Sequence, residues 1–502
     1  LMMKIREKMQ KLYSFLILIL FISISACSGD FLEQAPRGAL TVGSFPNTAD
    51  DALLATNAVY NSLRDWQINC GGFPLLDMMA DDALKGSNPG DGTAISVYDK
   101  FEHTATEGSV ERWYKTLYQS VKRANLVVNE VPNIEMEAGL RDRYIGEARF
   151  LRAYYYSILL RAFGDVPKVT EINPPLDLGR SPVHEILTEI VYADLEYAMN
   201  ILPAKSDYEP SELGRATKHA AAALLARLKL FYGDFAAVET LTKDIINSNQ
   251  YDLEQDYGMV FPSVSEHGIE SVFEVSATAE YFEDGGNQYA NTRGVRGTPN
   301  RGWGFCRPSY TDLIKEMEDA NDPRVDPTVI FLNETIDGIE IKVESASLDT
   351  IFENGKIIEI ECYNQKVWYP GTDAKSSQGY NRRLIRFSDV LLMHSEALNE
   401  NGKSDQALIY LNQVRERARG NNATVLPDIT TTDKVALRDL IIQERKYEIA
   451  LEGLRFWDLV RTNKAEEILG PLGYIKGKNE LFPIPQSEVD ISQGRISQNP
   501  GY

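Results

Sequence analysis

Residues 147–168 read EARFLRAYYYSILLRAFGDVPK, and this stretch indicates the fold class. Apolar side chains recur in it at the three- and four-residue spacing of an α-helix, at Leu151, Tyr154, Tyr155, Ile158, Leu159 and Ala162. Leu160 and Phe163 widen the apolar surface, so the helix needs packing partners on more than one face. Gly164-Asp165 ends it, and Pro167 prevents a restart. The stretch predicts a buried helix in a mostly α protein.

Helical patterns cover most of the remaining chain, at 50–63, 108–131, 137–163, 183–202 and 434–452. Two further segments, 216–248 and 389–419, each read as helix, glycine turn and helix, with alanine at close-packed positions. Each unit is similar to a tetratricopeptide repeat. Because the two lie far apart in the chain, we expect one helical scaffold with both pairs packed side by side, rather than a plain solenoid. Residues 251–385 are rich in Gly, Asn, Tyr and Trp, and predict an irregular, loop-rich lobe on that scaffold.

The N-terminus has the pattern of a bacterial export signal. A basic start and a short apolar run lead to Ile24-Ser25-Ala26-Cys27, which is similar to a lipobox. A diacylglyceryl group on Cys27 would anchor the protein to membrane lipid, since each buried methylene adds roughly 0.8 kcal/mol of membrane affinity. The predicted division of the chain is a signal peptide at 1–26, a lipidated tether at 27–47 and a single folded domain at 48–502.

Composition narrows the possible ligands. The 502 residues carry a formal net charge of −21, which argues against nucleic acid as a ligand, because nucleic-acid binding needs clustered Lys and Arg. With Cys27 lipidated, Cys70, Cys306 and Cys362 remain, so at most one internal disulfide can form. Cys70 and Cys306 both lie in glycine-rich loops, and a bond between them is an alternative to free thiols. The pattern indicates no metal or other cofactor.

Five motifs in chain order resemble the SusD/RagB family. The stretch at 147–168 resembles "FLRAxYYxxLxxxFGDVP", and the others are Asp322-Pro323-Arg324, IRFSDVLL at 385–392, ERKYE at 444–448 continuing to Leu459, and the ending PIP at 483–485 with QNPGY at 498–502. The resemblance implies a mostly α scaffold similar to tetratricopeptide repeats. It also implies a cell-surface, outer-membrane lipoprotein without a cofactor. Such a protein binds a nutrient and delivers it to a SusC-like TonB-dependent β-barrel.

Motifs for catalysis are missing from the sequence. The five histidines are isolated, and no HExxH, GxSxG or P-loop pattern is present. His394 lies in an apolar helix and is expected to be a core residue. Charged residues three apart between 438 and 461 would lie on one face of a single helix. We interpret them as an ion-pair ladder rather than as the two carboxylates of a glycoside hydrolase.

A glycan site needs exposed aromatic rings beside groups that form bidentate hydrogen bonds. Two loops, 64–106 and 280–310, have that mixture, and the family resemblance implies that such loops carry the ligand contacts. Gly302-Trp303-Gly304 separates a tryptophan from bulky neighbours, as a platform requires. The predicted ligand-binding residues are Trp303, Trp66, Tyr289, Arg301, Asp82 and Asn291.

The function predicted from these patterns is capture of an oligo- or polysaccharide at the cell surface. Three alternatives stay open: a family member that binds peptide or another non-glycan ligand, a surface hydrolase, and a repeat scaffold that binds only proteins. A panel of soluble glycans separates glycan binding from the peptide alternative, and release of reducing sugar identifies a hydrolase.

Overall fold

The structure, a computed structural model, is mostly helical. It describes residues 45–69, 75–88, 90–278, 288–297, 302–342, 350–353, 356–369 and 379–502, with isolated positions 2, 3, 6, 8, 9 and 286. The longer helices are α1 Ala49–Asn61, α2 Gly108–Glu130, α3 Ala138–Phe163, α4 Val183–Ile186 and Ala193–Ile201 joined by the π-helical turn Leu187–Tyr192, α5 Lys218–Phe231, α6 Phe235–Asn247, α7 Phe387–Glu400, α8 Ser404–Arg419, α9 Lys434–Glu448 and α10 Arg455–Arg461. Shorter helices are Trp66–Asn69, Leu75–Met78, Tyr289–Arg293, Lys315–Asp319, Val325–Thr328, Ala465–Leu469 and Gln486–Ile491. No helix in the described ranges is both long and apolar enough to cross a membrane.

Helix α3 is the centre of the packing, as the sequence predicts. The Glu137 carboxylate caps its start by accepting from the backbone N–H of Gly139 at 2.8 Å. From Tyr144 to Phe163 nearly every side chain is buried, against α1, α2 and α4. Gly164 ends the helix at φ +70°, a left-handed conformation that glycine adopts without strain.

The two predicted helix pairs are confirmed. Helices α5 and α6 form one pair, α7 and α8 the other, and α6 packs against α7. Ala220, Ala222 and Ala223 are buried in α5, where their small side chains permit close helix contact. Across the α6–α7 contact, the hydroxyl of Thr242 lies 2.8 Å from Nδ1 of His394. His394 is a buried core residue, as expected.

The strands are short and pair in antiparallel twos: β1 Ala83–Lys85 with β3 Cys306–Pro308, β2 Ser271–Val275 with β10 Arg382–Arg386, β4 Val329–Phe331 with β9 Cys362–Asn364, β5 Thr335–Ile336 with β6 Ile339–Glu340, and β7 Thr350–Glu353 with β8 Lys356–Ile360. The β2–β10 pair brings the early part and the end of the segment 251–385 together, and apolar residues of both strands belong to the main hydrophobic core. The β1–β3 pair joins the two loops in which the sequence predicts ligand contacts.

The prediction of one continuous helix from 438 to 461 is wrong. Helix α9 ends at Glu448, and α10 begins at Arg455. Between them the backbone turns sharply, with Leu451 at φ +64° and Gly453 at φ +79°. Of the predicted ladder, Asp458 and Arg461 do form an ion pair within α10, at 2.7 Å. Glu448, Glu452 and Arg455 instead pair with distant parts of the chain.

Candidate functional site

A cavity of about 360 Å³ opens beside Trp303, where the two predicted loops meet. Its lining residues are Ser87, Asp91, Arg296, Gly297, Gly302, Trp303 and Phe305. This volume lies within the range of sites for small ligands, roughly 300–1,000 Å³. The cavity is therefore large enough to hold part of an extended ligand.

Backbone pairing holds Trp303 at the cavity. The N–H of Trp303 donates to the carbonyl of Asn291 at 2.8 Å, and the N–H of Phe305 donates to that of Thr292 at 3.0 Å. Gly302 lies so close to this neighbouring segment that a Cβ atom there would collide with the backbone of Gly294. The glycine that separates Trp303 from its neighbours in the sequence thus permits the approach of two backbone segments.

Two aromatic rings, those of Trp303 and Phe305, line this cavity, and the ring of Trp66 packs against Trp303. The Trp303 ring lies 6.0 Å from that of Trp66 and 6.0 Å from that of Phe305, both in edge-to-face geometry. All three side chains are half-buried. Edge-to-face contacts hold aromatic rings in fixed orientations. The Trp303 ring is therefore supported on two sides and still reaches the cavity.

A fixed polar group lies next to the rings. Arg296 donates from Nη2 to the carboxylate of Asp91 at 2.9 Å and from Nε to the hydroxyl of Ser87 at 3.0 Å. Ser87 in turn donates to Asp91 at 2.9 Å. The hydrogen bonds from Ser87 and Arg296 lower the pKa of Asp91, so its carboxylate is ionised at neutral pH. The Asp91 side chain is 44% exposed, which leaves acceptor capacity for a ligand.

Three of the predicted site residues are buried in the protein interior instead of lining the cavity. Tyr289 is only 4% exposed, and its ring lies 4.4 Å from the guanidinium of Arg293 and 4.6 Å from that of Arg382. The prediction that Tyr289 offers an exposed ring is wrong, because side chains cover it. Asp82 and Asn291 are 1% exposed, and neither lines the Trp303 cavity.

Burial also affects the pKa of Asp82. Its carboxylate accepts from the backbone N–H of Leu451 at 2.8 Å. Burial, together with the charge of nearby Asp77, raises the pKa of Asp82 to about 7. Adjacent Asp81 pairs with Arg455 at 2.7 Å, and its pKa is lowered, since favourable charges and hydrogen bonds outweigh burial.

Some predicted positions lie outside the described residues. These are Arg301, Cys27 and Cys70. Cys306 and Cys362 are buried. The residues that sequence reasoning missed are Ser87, Asp91 and Arg296; all three lie inside the two predicted loops, but the charge pattern alone gave no reason to select them.

A second, larger cavity of about 860 Å³ opens beside Trp368. The indole N–H of this tryptophan donates to Asp337 at 2.8 Å, and the other lining residues include Met259, Phe261 and Pro327. In the described ranges, no group of His, Cys, Asp and Glu side chains has an arrangement that could hold a metal ion. Trp368, a tryptophan at a different cavity, is a matched control for Trp303.

Comparison with known proteins identifies the family. A model described as "SusD family" matches residues 269–502, and one described as "Starch-binding associating with outer membrane" matches 79–230; together they cover more than half of the chain. SusD-like protein P38 from Formosa agariphila is 28% identical, over 97% of this chain and 98% of its own. The starch-binding protein SusD from Bacteroides thetaiotaomicron is 25% identical over 78% of each chain.

Solved structures agree with the sequence relatives. A laminarin-binding SusD-like protein superposes with a TM-score of 0.77 at 26% identity, covering 91% of this chain and all of its own. A SusD homolog from Bacteroides thetaiotaomicron superposes with a TM-score of 0.79 at 23% identity, over 93% of this chain and all of its own, which shows the shared fold.

The chain belongs to the SusD family.

The motifs through which the chain resembles the SusD family lie mainly in its interior. Those around Glu448 form a buried ion network, termed the Glu448 network, whose members are Glu270, Asp322, Arg324, Lys366, Arg386, Arg417, Glu444, Glu448 and Glu452. Glu448 itself is fully buried and bonds to Arg386 at 3.0 Å and Arg324 at 3.1 Å. Although burial opposes its ionisation, the charges of Arg417, Arg386 and Arg324 hold the pKa of Glu448 well below its usual range.

The Glu448 network confirms a structural role for these charges, in a different geometry from the predicted ladder. Its members come from six separate parts of the chain, with Glu270 directly before β2 and Arg386 at the end of β10. It joins α8, α9 and the turn after α9 to the lobe. It lines no part of the Trp303 cavity.

Proposed function

We propose that this protein binds an oligo- or polysaccharide through the Trp303 cavity. The observation that carries this proposal is the combination of Trp303 and Phe305 with the fixed Arg296–Asp91–Ser87 group. A sugar presents a flat face of C–H bonds, which packs on an aromatic ring, and a rim of hydroxyls, which bond to charged planar groups. Because the polar group is already held by its own hydrogen bonds, little side-chain freedom is lost on binding.

The names of relatives support a glycan ligand. The B. thetaiotaomicron relative is a starch-binding protein, and the structural neighbour at 26% identity binds laminarin. These two polysaccharides differ in linkage, so they define the class of ligand and not its identity. The cavity beside Trp368 also has aromatic and charged lining residues. We favour the Trp303 cavity because its ring lies beside the fixed Arg296–Asp91–Ser87 group, where the two loops predicted to carry ligand contacts meet.

The cellular role is the second part of the proposal. We propose that Cys27 carries the lipid anchor, that the protein faces the exterior at the outer membrane, and that it delivers its ligand to a SusC-like TonB-dependent β-barrel. The lipobox-like run before Cys27 and the description of the matched family model as outer-membrane-associated support this role. Cys27→Ala should release the protein from washed membranes; retention of the variant would contradict the anchor.

The experiment that tests the ligand class is calorimetry and native affinity electrophoresis with laminarin, starch and other soluble glycans. We expect binding to at least one glycan and no release of reducing sugar, because the function is capture without turnover. Failure to bind any glycan, together with binding to peptides, would replace this proposal with the peptide alternative. Turnover abolished by one carboxylate substitution would identify a hydrolase.

A further inference from the structure

A cavity of about 780 Å³ lies at the end of α3, between the Gly164 turn and the C-terminal tail. Its walls combine apolar side chains, from Leu160, Val183, Phe231, Tyr232, Val460, Leu481 and Pro500, with the polar residues Asp165, Arg180, Glu480, Arg495, Ser497 and Asn499. It also contains Arg161, which the Trp303 site and the Glu448 network do not use.

Arg161 is buried without a compensating charge. Its residue exposure is 8%, its Nε donates to the Ser157 carbonyl at 3.0 Å, and its guanidinium lies 5.2 Å from the Trp457 ring. In the described part of the chain no carboxylate lies within 4.0 Å of it, and its two terminal nitrogens bond to no protein acceptor while remaining accessible from the cavity. Burial, reinforced by the charge of Arg227, lowers the pKa of Arg161 to about 10.

Arg152, on the same helix, has the carboxylate partner that Arg161 lacks. It is 7% exposed, and it donates to both carboxylate oxygens of Asp194, at 2.7 and 2.8 Å. Buried charges are normally paired in this way, because an unpaired one loses its hydration without compensation. Arg161 has equal burial and no such partner, which points to a partner from outside the chain.

Several other polar groups of the cavity are already bonded within the protein. Arg180 donates to the carbonyls of Asp165 and Ser497 at 2.6 and 2.8 Å, and to the side chain of Asn499 at 2.6 Å. Glu480 accepts from the N–H of Gly477 at 2.9 Å. Besides the hydrogen-bonded Arg180, the cavity thus offers, in the described residues, two guanidinium groups without a carboxylate partner, the buried one of Arg161 and the exposed one of Arg495.

We propose that this cavity is a second binding site, for an organic carboxylate attached to an apolar group. The guanidinium of Arg161 would bond to the carboxylate in bidentate geometry, and the apolar group would pack on Phe231, Val460 and Leu481. The carboxylate belongs either to a free organic acid or to an acidic residue of a peptide. Both sources have the same chemistry at Arg161.

Calorimetry on the full protein tests the site with 3-phenylpropionate and, as an uncharged control, 3-phenylpropanamide. We expect the acid to bind with a Kd of millimolar or below and the amide at least about tenfold more weakly, the usual effect of losing a charged hydrogen bond. Glucuronate, an anion with a polar body, should not bind. A peptide arm compares acetyl-Phe-Leu-Glu-amide with acetyl-Phe-Leu-Gln-amide; tighter binding of the acidic peptide than of the free acid identifies the peptide as the source, and the reverse identifies the free acid.

Arg161→Met should abolish binding of the acid and leave the melting temperature nearly unchanged, since no ion pair is lost. Arg152→Met, its matched control, should lower the melting temperature and leave the affinity for the acid unchanged in the folded protein. Val460→Glu, which adds negative charge to the cavity, should weaken acid binding even if Arg161→Met does not fold. No binding of either acid, equal binding of acid and amide, or equal affinity in the Arg161 and Val460 variants would overturn the proposal. Trp303→Ala should not affect this site, so its outcome is separate from that of the glycan proposal.

Discussion

Two of the regions in which arginine and carboxylate side chains meet differ sharply in burial: the Glu448 network and the open cavity beside Trp303. In the first, Glu448 is fully buried and three arginines surround it. In the second, Asp91 is 44% exposed and bonds to one arginine, next to an aromatic ring. The residue types are the same, while burial and the neighbouring side chains differ.

This difference separates support of the fold from recognition of a ligand. A fully buried and paired charge has no bonding capacity left for a ligand, and its loss leaves an uncompensated partner in the interior. A half-exposed pair contributes little to stability, and it keeps acceptors and donors available. Variants of the scaffold should therefore change stability, and variants of the cavity should change ligand affinity.

Glu448→Gln should have the largest effect on stability. It leaves Arg386, Arg417 and Arg324 short of one buried negative charge, so we expect the free energy of unfolding to fall by about 3–5 kcal/mol. Urea denaturation at pH 7 measures this loss. Glu111→Gln, which removes an exposed pair with Lys115, should cost less than about 1 kcal/mol. Equal losses in the two variants would contradict the separation.

The same variant has a defined pH dependence. Because the folded state lowers the pKa of Glu448, the stabilisation is complete above the unfolded carboxyl pKa of about 4.3 and disappears as the pH falls through the lower folded value. The stability difference between wild type and Glu448→Gln should therefore narrow below about pH 4. A difference that is constant down to pH 2 would show that the charge of Glu448 is not its cause.

Asp82→Asn should have the opposite effect on stability: it should stabilise the protein at neutral and higher pH. The folded state raises the pKa of Asp82 to about 7, so between about pH 4 and 7 the folded protein holds a proton that the unfolded chain has released. Wild-type stability from this group is complete below about pH 4 and is lost as the pH rises through 7. At pH 8 the asparagine variant should be more stable by about 1–2 kcal/mol, and the gain should vanish near pH 4.

Asp81→Asn is the matched control for this variant, since it removes a carboxylate that is paired with Arg455. It should destabilise the protein at pH 8. Destabilisation of similar size by both substitutions in thermal melts would show that Asp82 is ionised and stabilising, contrary to the raised pKa.

Arg296→Met should have the smallest effect on the fold and a moderate one on ligand binding. It removes hydrogen bonds to Ser87 and to exposed Asp91, so we expect less than about 1 kcal/mol of lost stability and roughly three- to tenfold weaker glycan binding. Arg307→Met, which disturbs a pair with Glu359 away from the cavity, should leave affinity unchanged. Calorimetry with the tightest glycan of the panel distinguishes these outcomes.

Local patterns predicted the helices better than the breaks between them. The spacing in α3 and the alanines in α5 place apolar surface wherever a helix forms, so the scaffold follows from the sequence. The break between α9 and α10 depends on Leu451 and Gly453 at positive φ, and the charge spacing across it continues by coincidence. Gly453 is the one local sign that the helix ends there, and the regular charge spacing favours a continuous helix instead.

The site was predictable as a region and less so residue by residue. The separation of Trp303 by glycines was visible in the sequence, and the structure places Trp66 against it. The burial of Tyr289 depends on Arg382, which is distant in the chain and reaches it through the β2–β10 pair. Such long-range contacts leave no local pattern.

The most direct test of the central claim is the glycan affinity of Trp303→Ala, measured beside its melting temperature and compared with Trp368→Ala at the larger cavity. Loss of the Trp303 ring should cost about 1–3 kcal/mol of binding, a tenfold to hundredfold weaker affinity, with little change in melting temperature. Trp368→Ala should bind as wild type does. Unchanged affinity in Trp303→Ala, or weaker binding in Trp368→Ala alone, would contradict the account and place the glycan site elsewhere.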